Sequence, residues 1–125
     1  MNESIIYDKG LAFAQRIVRV YKVLTGQRKE YVMSKQLLRS GTSIGANVSE
    51  AIYAQSRPDF IHKMSIALKE AHETEYWLKL LYSGEYFNEK EYFSLETDIK
   101  EIIKILITIV KTSKANGNEQ LLINS

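Results

Sequence analysis

The chain has no cysteine, one proline, two histidines and no long apolar run. Without cysteine there is no disulfide framework, no thiol nucleophile and no thiolate zinc site, and a reducing compartment fits such a chain. The N-terminus, Met1-Asn2-Glu3-Ser4-Ile5-Ile6-Tyr7-Asp8, lacks the basic start and apolar run of a signal peptide. The most apolar stretch, Ile102 to Val110, is broken by Lys104 and Thr108 and is too short for a bilayer. A cytoplasmic protein without a membrane partner is expected. Neither His62 nor His72 follows a glutamate by three positions, so the Glu-x-x-His pairs of di-metal helix bundles are missing. A Gly-rich phosphate loop, a Ser-x-x-Lys motif and a nucleophile with a base partner are also missing. No catalytic residue, no metal site and no cofactor is therefore assigned, and the chain is not expected to be an enzyme; a metal-dependent enzyme using Glu70, His72 and Glu73 is the remote alternative.

What is present is helical periodicity. With 125 residues and 45% hydrophobic content, one domain with a packed core is expected. Helices are expected over about 5–25, 29–54, 57–83 and 89–114, with residues 1–114 as the domain and 115–125 as a flexible tail. Ser4 is the expected cap of the first helix and Gly26 its stop. Phe13, Ile17, Val20 and Leu24 form its inward stripe. Ser34, Leu37, Leu38, Gly41, Gly45, Val48 and Ile52 form that of the second helix. Ser56-Arg57-Pro58-Asp59 opens the third helix with a cap and a first-turn proline, and Gly84 ends it. Asn88-Glu89-Lys90-Glu91 opens the fourth as a capping box. Short links and the absence of a period-2 pattern predict an all-α, antiparallel up-down-up-down four-helix bundle.

The second helix carries an unusual run, Gln36 to Glu50. Two glycines and several small polar residues lie inside it, and each glycine costs a helix interior about 1 kcal/mol relative to alanine. Gly41 and Gly45 are four apart and share a face. Either a neighbouring helix approaches closely there, or the helix kinks at Ser40-Gly41. Asn47, Ser43 and Thr42 can bond to a neighbour or back to their own helix. Arg39 and Glu50 are about 16 Å apart along one helix and cannot pair with each other. Each is expected to meet a charge on another helix or subunit, with Glu70 or Glu73 as candidates for Arg39.

The third helix has an inward stripe, Phe60, Met64, Ala67, Leu68, Ala71, Leu78 and Leu81, and a second stripe, Ile66, Glu70, Glu73, Trp77 and Leu80, rotated from it. Two faces on one helix suggest a subunit interface, and tryptophan favours interface centres. A homo-oligomer is the expectation; the alternative is a tryptophan lying flat on the bundle edge.

Net charge is +2, but residues 1–63 hold ten Lys/Arg against five Asp/Glu, and residues 64–125 hold seven against ten. Such asymmetry marks either an anion-binding face or oppositely charged helix pairs lying side by side. Arg16, Arg19, Lys22, Arg28, Lys29, Lys35 and Arg39 are the candidate nucleic-acid contacts. Two partners are therefore considered besides self: RNA or DNA on this basic face, or a protein bound to a scaffold whose charge is incidental.

Gln36-x-Leu38-Arg39-Ser40-x-Thr42-Ser43-Ile44-x-Ala46-Asn47-x-x-Glu50 resembles the signature of the 23S rRNA intervening-sequence proteins. Phe60-Ile61-x-Lys63-Met64-x-Ile66-Ala67-Leu68-Lys69-Glu70-Ala71-x-Glu73-Thr74-x-Tyr76-Trp77-Leu78 resembles that family's third helix. The likeness covers about residues 5–112. It implies a four-helix bundle assembled as a homopentameric ring, with no catalytic residue. Some members are encoded inside insertions in ribosomal RNA genes. A related accessory protein of diversity-generating retroelements uses the same barrel and binds nucleic acid and a reverse transcriptase. Where many relatives carry an aromatic-proline turn between the first two helices, this chain has Thr25-Gly26-Gln27-Arg28-Lys29.

Overall fold

The helix breaks are written in local chemistry, and the backbone follows them closely. A computed structural model describes the backbone of residues 2–124 and the side chains of residues 3–117. Four helices are formed: α1 (Asn2–Gly26), α2 (Met33–Ile52), α3 (Arg57–Ser83) and α4 (Glu89–Asn124). No strand occurs among the described residues. Consecutive helices pack on one another, and α1 also meets α4, closing the bundle. The α1/α4 contacts run in opposite senses, Lys9 to Glu101 and Arg28 to Glu91, as antiparallel neighbours require.

The start of α3 is as expected. Ser56 is extended (φ −152°, ψ 163°) and its hydroxyl accepts the Asp59 N–H at 3.2 Å, with proline in the first turn. The start of α4 is a reciprocal box: Asn88 Oδ1 accepts the Glu91 N–H at 2.8 Å, and Glu91 Oε1 accepts the Asn88 N–H at 2.9 Å. Gly84 follows α3, and its N–H bonds the Leu80 carbonyl at 2.9 Å.

Several boundaries differ from expectation. α1 begins at Asn2, so Ser4 lies in the first turn rather than capping it. α2 begins at Met33 rather than Lys29, because Lys29 turns left-handed at φ 57°; Val32 holds the N-cap position without a side-chain cap bond, and the Glu30 carboxylate does the capping from two residues upstream. The Glu30 side chain is buried, and its carboxylate accepts the backbone N–H groups of Val32 (3.1 Å), Met33 (3.0 Å) and Ser34 (2.6 Å). α2 ends at Ile52 instead of Ala54. α4 continues past Lys114 to Asn124. Of the expected 115–125 tail, Ser125 and the side chains beyond Gly117 lie outside the described residues.

The core is built from the expected stripes, with α2 rotated slightly. Ile6, Phe13, Ile17 and Leu24 meet Leu37, Ile44, Val48, Met64, Leu78 and Leu81, and α4 adds Leu95, Ile99, Ile102 and Leu106. Each large side chain removed fully from water contributes about 1.5–3 kcal/mol. In α2 the buried set is Ser34, Leu37, Ser40, Gly41, Ile44, Val48 and Ala51, while Ile52 is exposed. The reason is that α2 has neighbours on both flanks. Ser40 faces α3, where its hydroxyl lies 2.9 Å from that of Thr74, and Gly41 faces Ile17 of α1.

The small-residue run is therefore a continuous helix with a close neighbour. A Cβ on Gly45 would stand 3.2 Å from the carbonyl carbon of Gly10 and 3.3 Å from its oxygen. A Cβ on Gly10 would stand 3.2 Å from the Gly45 Cα. At this crossing α1 and α2 meet backbone to backbone. Asn47 bonds back to its own helix, donating to the Ser43 carbonyl at 2.8 Å.

Gly45→Ala should destabilise by about 1–3 kcal/mol despite alanine's better helix propensity, because a backbone cannot step aside as a side chain can. Gly26→Ala, which meets nothing within 4 Å, should be neutral or mildly stabilising. Urea unfolding of the two variants checks the contrast; equal effects would contradict the close approach.

Glu30 sets a pH dependence. Burial alone raises its carboxyl, but the N–H groups of Ser34, Met33 and Val32 outweigh burial and hold it below the usual carboxylate range. The cap is thus in full force above the range of an unfolded glutamate and is lost as pH falls through Glu30's lower value. Glu30→Ala should cost about 2 kcal/mol at neutral pH. The gap between variant and parent should shrink in acid, and an unchanged gap in urea titrations would contradict the assignment.

Candidate nucleic-acid interface

Part of the charge asymmetry of the sequence is spent on joining helices. Lys9 pairs with Glu101 at 2.7 Å, Arg16 with Asp98 at 2.7 Å, and Arg28 with Glu91 at 2.7 Å. In each pair the cation precedes or follows α1 or lies on it, and the acid lies on α4. Arg16 also donates to the Ser94 hydroxyl at 2.7 Å and its carbonyl at 3.4 Å. Arg28 makes a two-pronged bond to Glu91 (3.0 and 2.7 Å) and reaches the Tyr86 carbonyl at 2.7 Å. The Glu91 hydrogen bond raises the Arg28 guanidinium above its ordinary value, and Arg28 in turn holds Glu91 below the usual range.

Across the bundle, Arg39 of α2 bonds Glu70 at 3.3 Å and also Glu73 of α3. Both candidates for Arg39 are thus met within the chain. Glu50 pairs with Lys63 at 3.2 Å. Arg39 is consequently not part of the α1/α4 group. Burial raises the Glu73 carboxyl, but hydrogen bonds from Trp77 and Arg39 outweigh it and hold Glu73 low. The Trp77 indole N–H donates to Glu73 at 3.2 Å. Ile66, Glu70, Glu73 and Trp77 are half-buried, and Leu80 is exposed. Two of the five residues of this second stripe, Glu70 and Glu73, are therefore engaged by Arg39 from α2.

Four of the candidate cations are exposed and make no ion pair among the described residues: Arg19, Lys22, Lys29 and Lys35. Arg16, Arg19 and Arg28 converge on one cavity of about 250 Å³ between α1 and α4, lined also by Val20, Val23, Phe87, Glu91 and Leu95. Arg16 and Arg19 also border a second cavity of about 310 Å³ on the same seam, with Lys9, Asp98 and Glu101. A further cavity, about 920 Å³, is at the opposite end of the bundle, between Glu3, Arg57, Phe60 and Ile109. Among the described residues, no three His, Asp or Glu side chains come together as a metal-binding set. None of the described helices is long and apolar enough to cross a membrane.

The model of the 23S rRNA-intervening sequence protein family matches residues 2–108. The chain belongs to that family. A crystal structure of a protein of unknown function from the S23 ribosomal protein family, from Bacteroides thetaiotaomicron, superposes on it with a TM-score of 0.88. The two are 58% identical, and the match covers 89% of this chain and 99% of that one. None of the curated proteins matches the chain.

In this 23S rRNA-intervening sequence protein, sequence reasoning missed Gly10, Glu30, Ser94 and the Ser40–Thr74 hydroxyl pair. Gly10 had a signal, since it falls in phase with Ile6, Phe13 and Ile17. Glu30 had none, since glutamate is not among the residues that ordinarily cap helices.

Trp77 is the single tryptophan. Its fluorescence should titrate in acid with a midpoint below the usual glutamate range, reporting Glu73. In Arg39→Ala the midpoint should rise, because the remaining burial disfavours the charged carboxylate. An identical midpoint in the variant would show that Arg39 does not hold Glu73.

Proposed function

We propose that this protein is a non-enzymatic, self-assembling bundle that binds nucleic acid, RNA above all, through the α1 side of the α1/α4 seam. The observation that carries this reading is the convergence of Arg16, Arg19 and Arg28 on one cavity, with Arg19 and Lys22 left outward and unpaired among the described residues. Phosphate contacts of this kind give affinity without base specificity and a steep salt dependence. The family description, naming a 23S rRNA-intervening sequence, supports a ribonucleic setting. The cysteine-free chain suits the cytoplasm.

Self-assembly, as the pentameric ring that the family resemblance implies, would repeat the patch around an axis. Apolar side chains left in solvent on α1 support such assembly: Ile5, Tyr7, Leu11 and Val18 are 38–47% exposed. Tyr7 and Leu11 border a groove of about 220 Å³ whose other wall is Thr42, Gly45, Ala46 and Ser49 of α2. This surface is less covered than the α3 stripe, so α1 is the better candidate for meeting a second copy. That groove also favours the second reading, a protein-interaction scaffold, in which a different polypeptide occupies it.

Light scattering at micromolar concentration should give a mass several times the 14.4 kDa of one chain. An oligonucleotide should bind at low salt and be released between about 50 and 200 mM salt. Arg19→Glu with Lys22→Glu should weaken binding about tenfold or more without changing the helical circular dichroism. Absence of binding to RNA and DNA at low salt would refute nucleic-acid binding, and a partner retained after nuclease treatment would favour the scaffold.

A further inference from the structure

The cavity beneath Arg16, Arg19 and Arg28 has an apolar floor that phosphate binding does not need. Val20 and Val23 of α1 form one side, and Phe87 and Leu95, 6% and 2% exposed, form the other. Its volume of about 250 Å³ equals the liquid volume of about eight waters. That suits one planar ring system and is far too small for a strand or a helix. The rim carries three guanidiniums against one carboxylate, Glu91. Two of those guanidiniums are fixed in place, Arg28 by Glu91 and Tyr86, and Arg16 by Asp98 and Ser94. Arg19 alone is free of ion pairs among the described residues.

Each half of this arrangement restricts the ligand. An inorganic anion would satisfy Arg19 but leave the apolar floor uncovered. A duplex offers its phosphates and keeps its bases stacked inside. An unpaired nucleotide satisfies both halves, with its phosphate at Arg19 and its base on Val20, Val23, Phe87 and Leu95. Guanidinium planes and aromatic rings are the surfaces on which unstacked bases rest. We infer that this cavity receives an unpaired nucleobase, so that the protein binds single-stranded in preference to duplex nucleic acid. The inference rests on the nucleic-acid reading above. Glu91 is the one acceptor in the lining, and both its oxygens are engaged by Arg28 and by the Asn88 N–H. No free side-chain acceptor is therefore left in the lining to receive a base's amino group.

The test is fluorescence polarisation with three labelled probes of equal phosphate count. They are an unstructured RNA strand, a duplex of half that length, and a strand of the full length made of abasic units. The unstructured strand should bind about tenfold or more tightly than either of the others. Val23→Trp, whose indole fills the cavity, should bring the unstructured strand down to the abasic level. Val20→Phe is the second filling variant if Val23→Trp loses its helical circular dichroism. Equal affinity for all three probes overturns the base cavity and leaves the nucleic-acid reading standing. Unaltered single-strand preference in a folded filling variant also overturns it. Failure to bind any probe at low salt overturns both.

Discussion

The backbone contact between Gly10 and Gly45 fixes where α1 lies, and much else follows from that position. With no Cβ on either residue, the two helices meet so closely that a Cβ added to either would stand 3.2 Å from the facing backbone. α1 is seated tightly against α2 on one flank. On its other flank, toward α4, the seam holds two cavities and is crossed by long charged side chains. The tight flank and the open flank are one arrangement. A helix drawn close to one neighbour leaves room beside the other, and lysine and arginine have the reach to span it.

This explains the division of charge along the chain. The two readings of the asymmetry, an anion-binding face or opposed helix pairs, are not exclusive. Lys9, Arg16, Arg28 and Arg39 each meet an acid from the second half of the chain. Partly exposed pairs of this kind contribute about 0–1 kcal/mol each, so they are a minor part of stability beside the buried Ile and Leu side chains. Their effect is orientational. Arg16 and Arg28 are held by several bonds each, which fixes their planes at the mouth of a cavity before any ligand arrives.

The legible parts of the fold were those governed by neighbours in sequence. Ser56-Arg57-Pro58-Asp59 and Asn88 to Glu91 marked their helix starts because the bonds they make span three residues. In α4 the buried apolar residues Leu95, Ile99, Ile102, Ile103, Leu106, Ile109 and Val110 recur at helical spacing on one flank, a pattern that hydropathy alone displays. α2 was harder. Its stripe was read through Gly45 and Ile52, whereas Ser40, Ile44 and Ala51 are inside. A helix gripped by α1 through glycines and by α3 through hydroxyls hides its phase, since small and polar residues carry no hydropathy signal. The basic group was legible as a composition bias but not as a place. Which arginines converge depends on the α1/α4 register, and that register is a property of the folded bundle alone.

The seven candidate cations consequently fall into two kinds, paired and unpaired. A guanidinium already paired with a carboxylate carries little condensed counter-charge to release, and a phosphate must compete with the resident acid for it. An outward lysine or arginine exchanges only water and mobile ions. The salt dependence of binding counts exchanged counterions, not the basic residues in the neighbourhood. On the nucleic-acid reading proposed above, Arg19, Lys22, Lys29 and Lys35 would set how steeply affinity falls with salt, and Arg16 and Arg28 would shape the surface beneath the ligand. A basic patch read from sequence merges these roles. The bundle separates them by spending one set of charges on its own seam and leaving the other to the solvent.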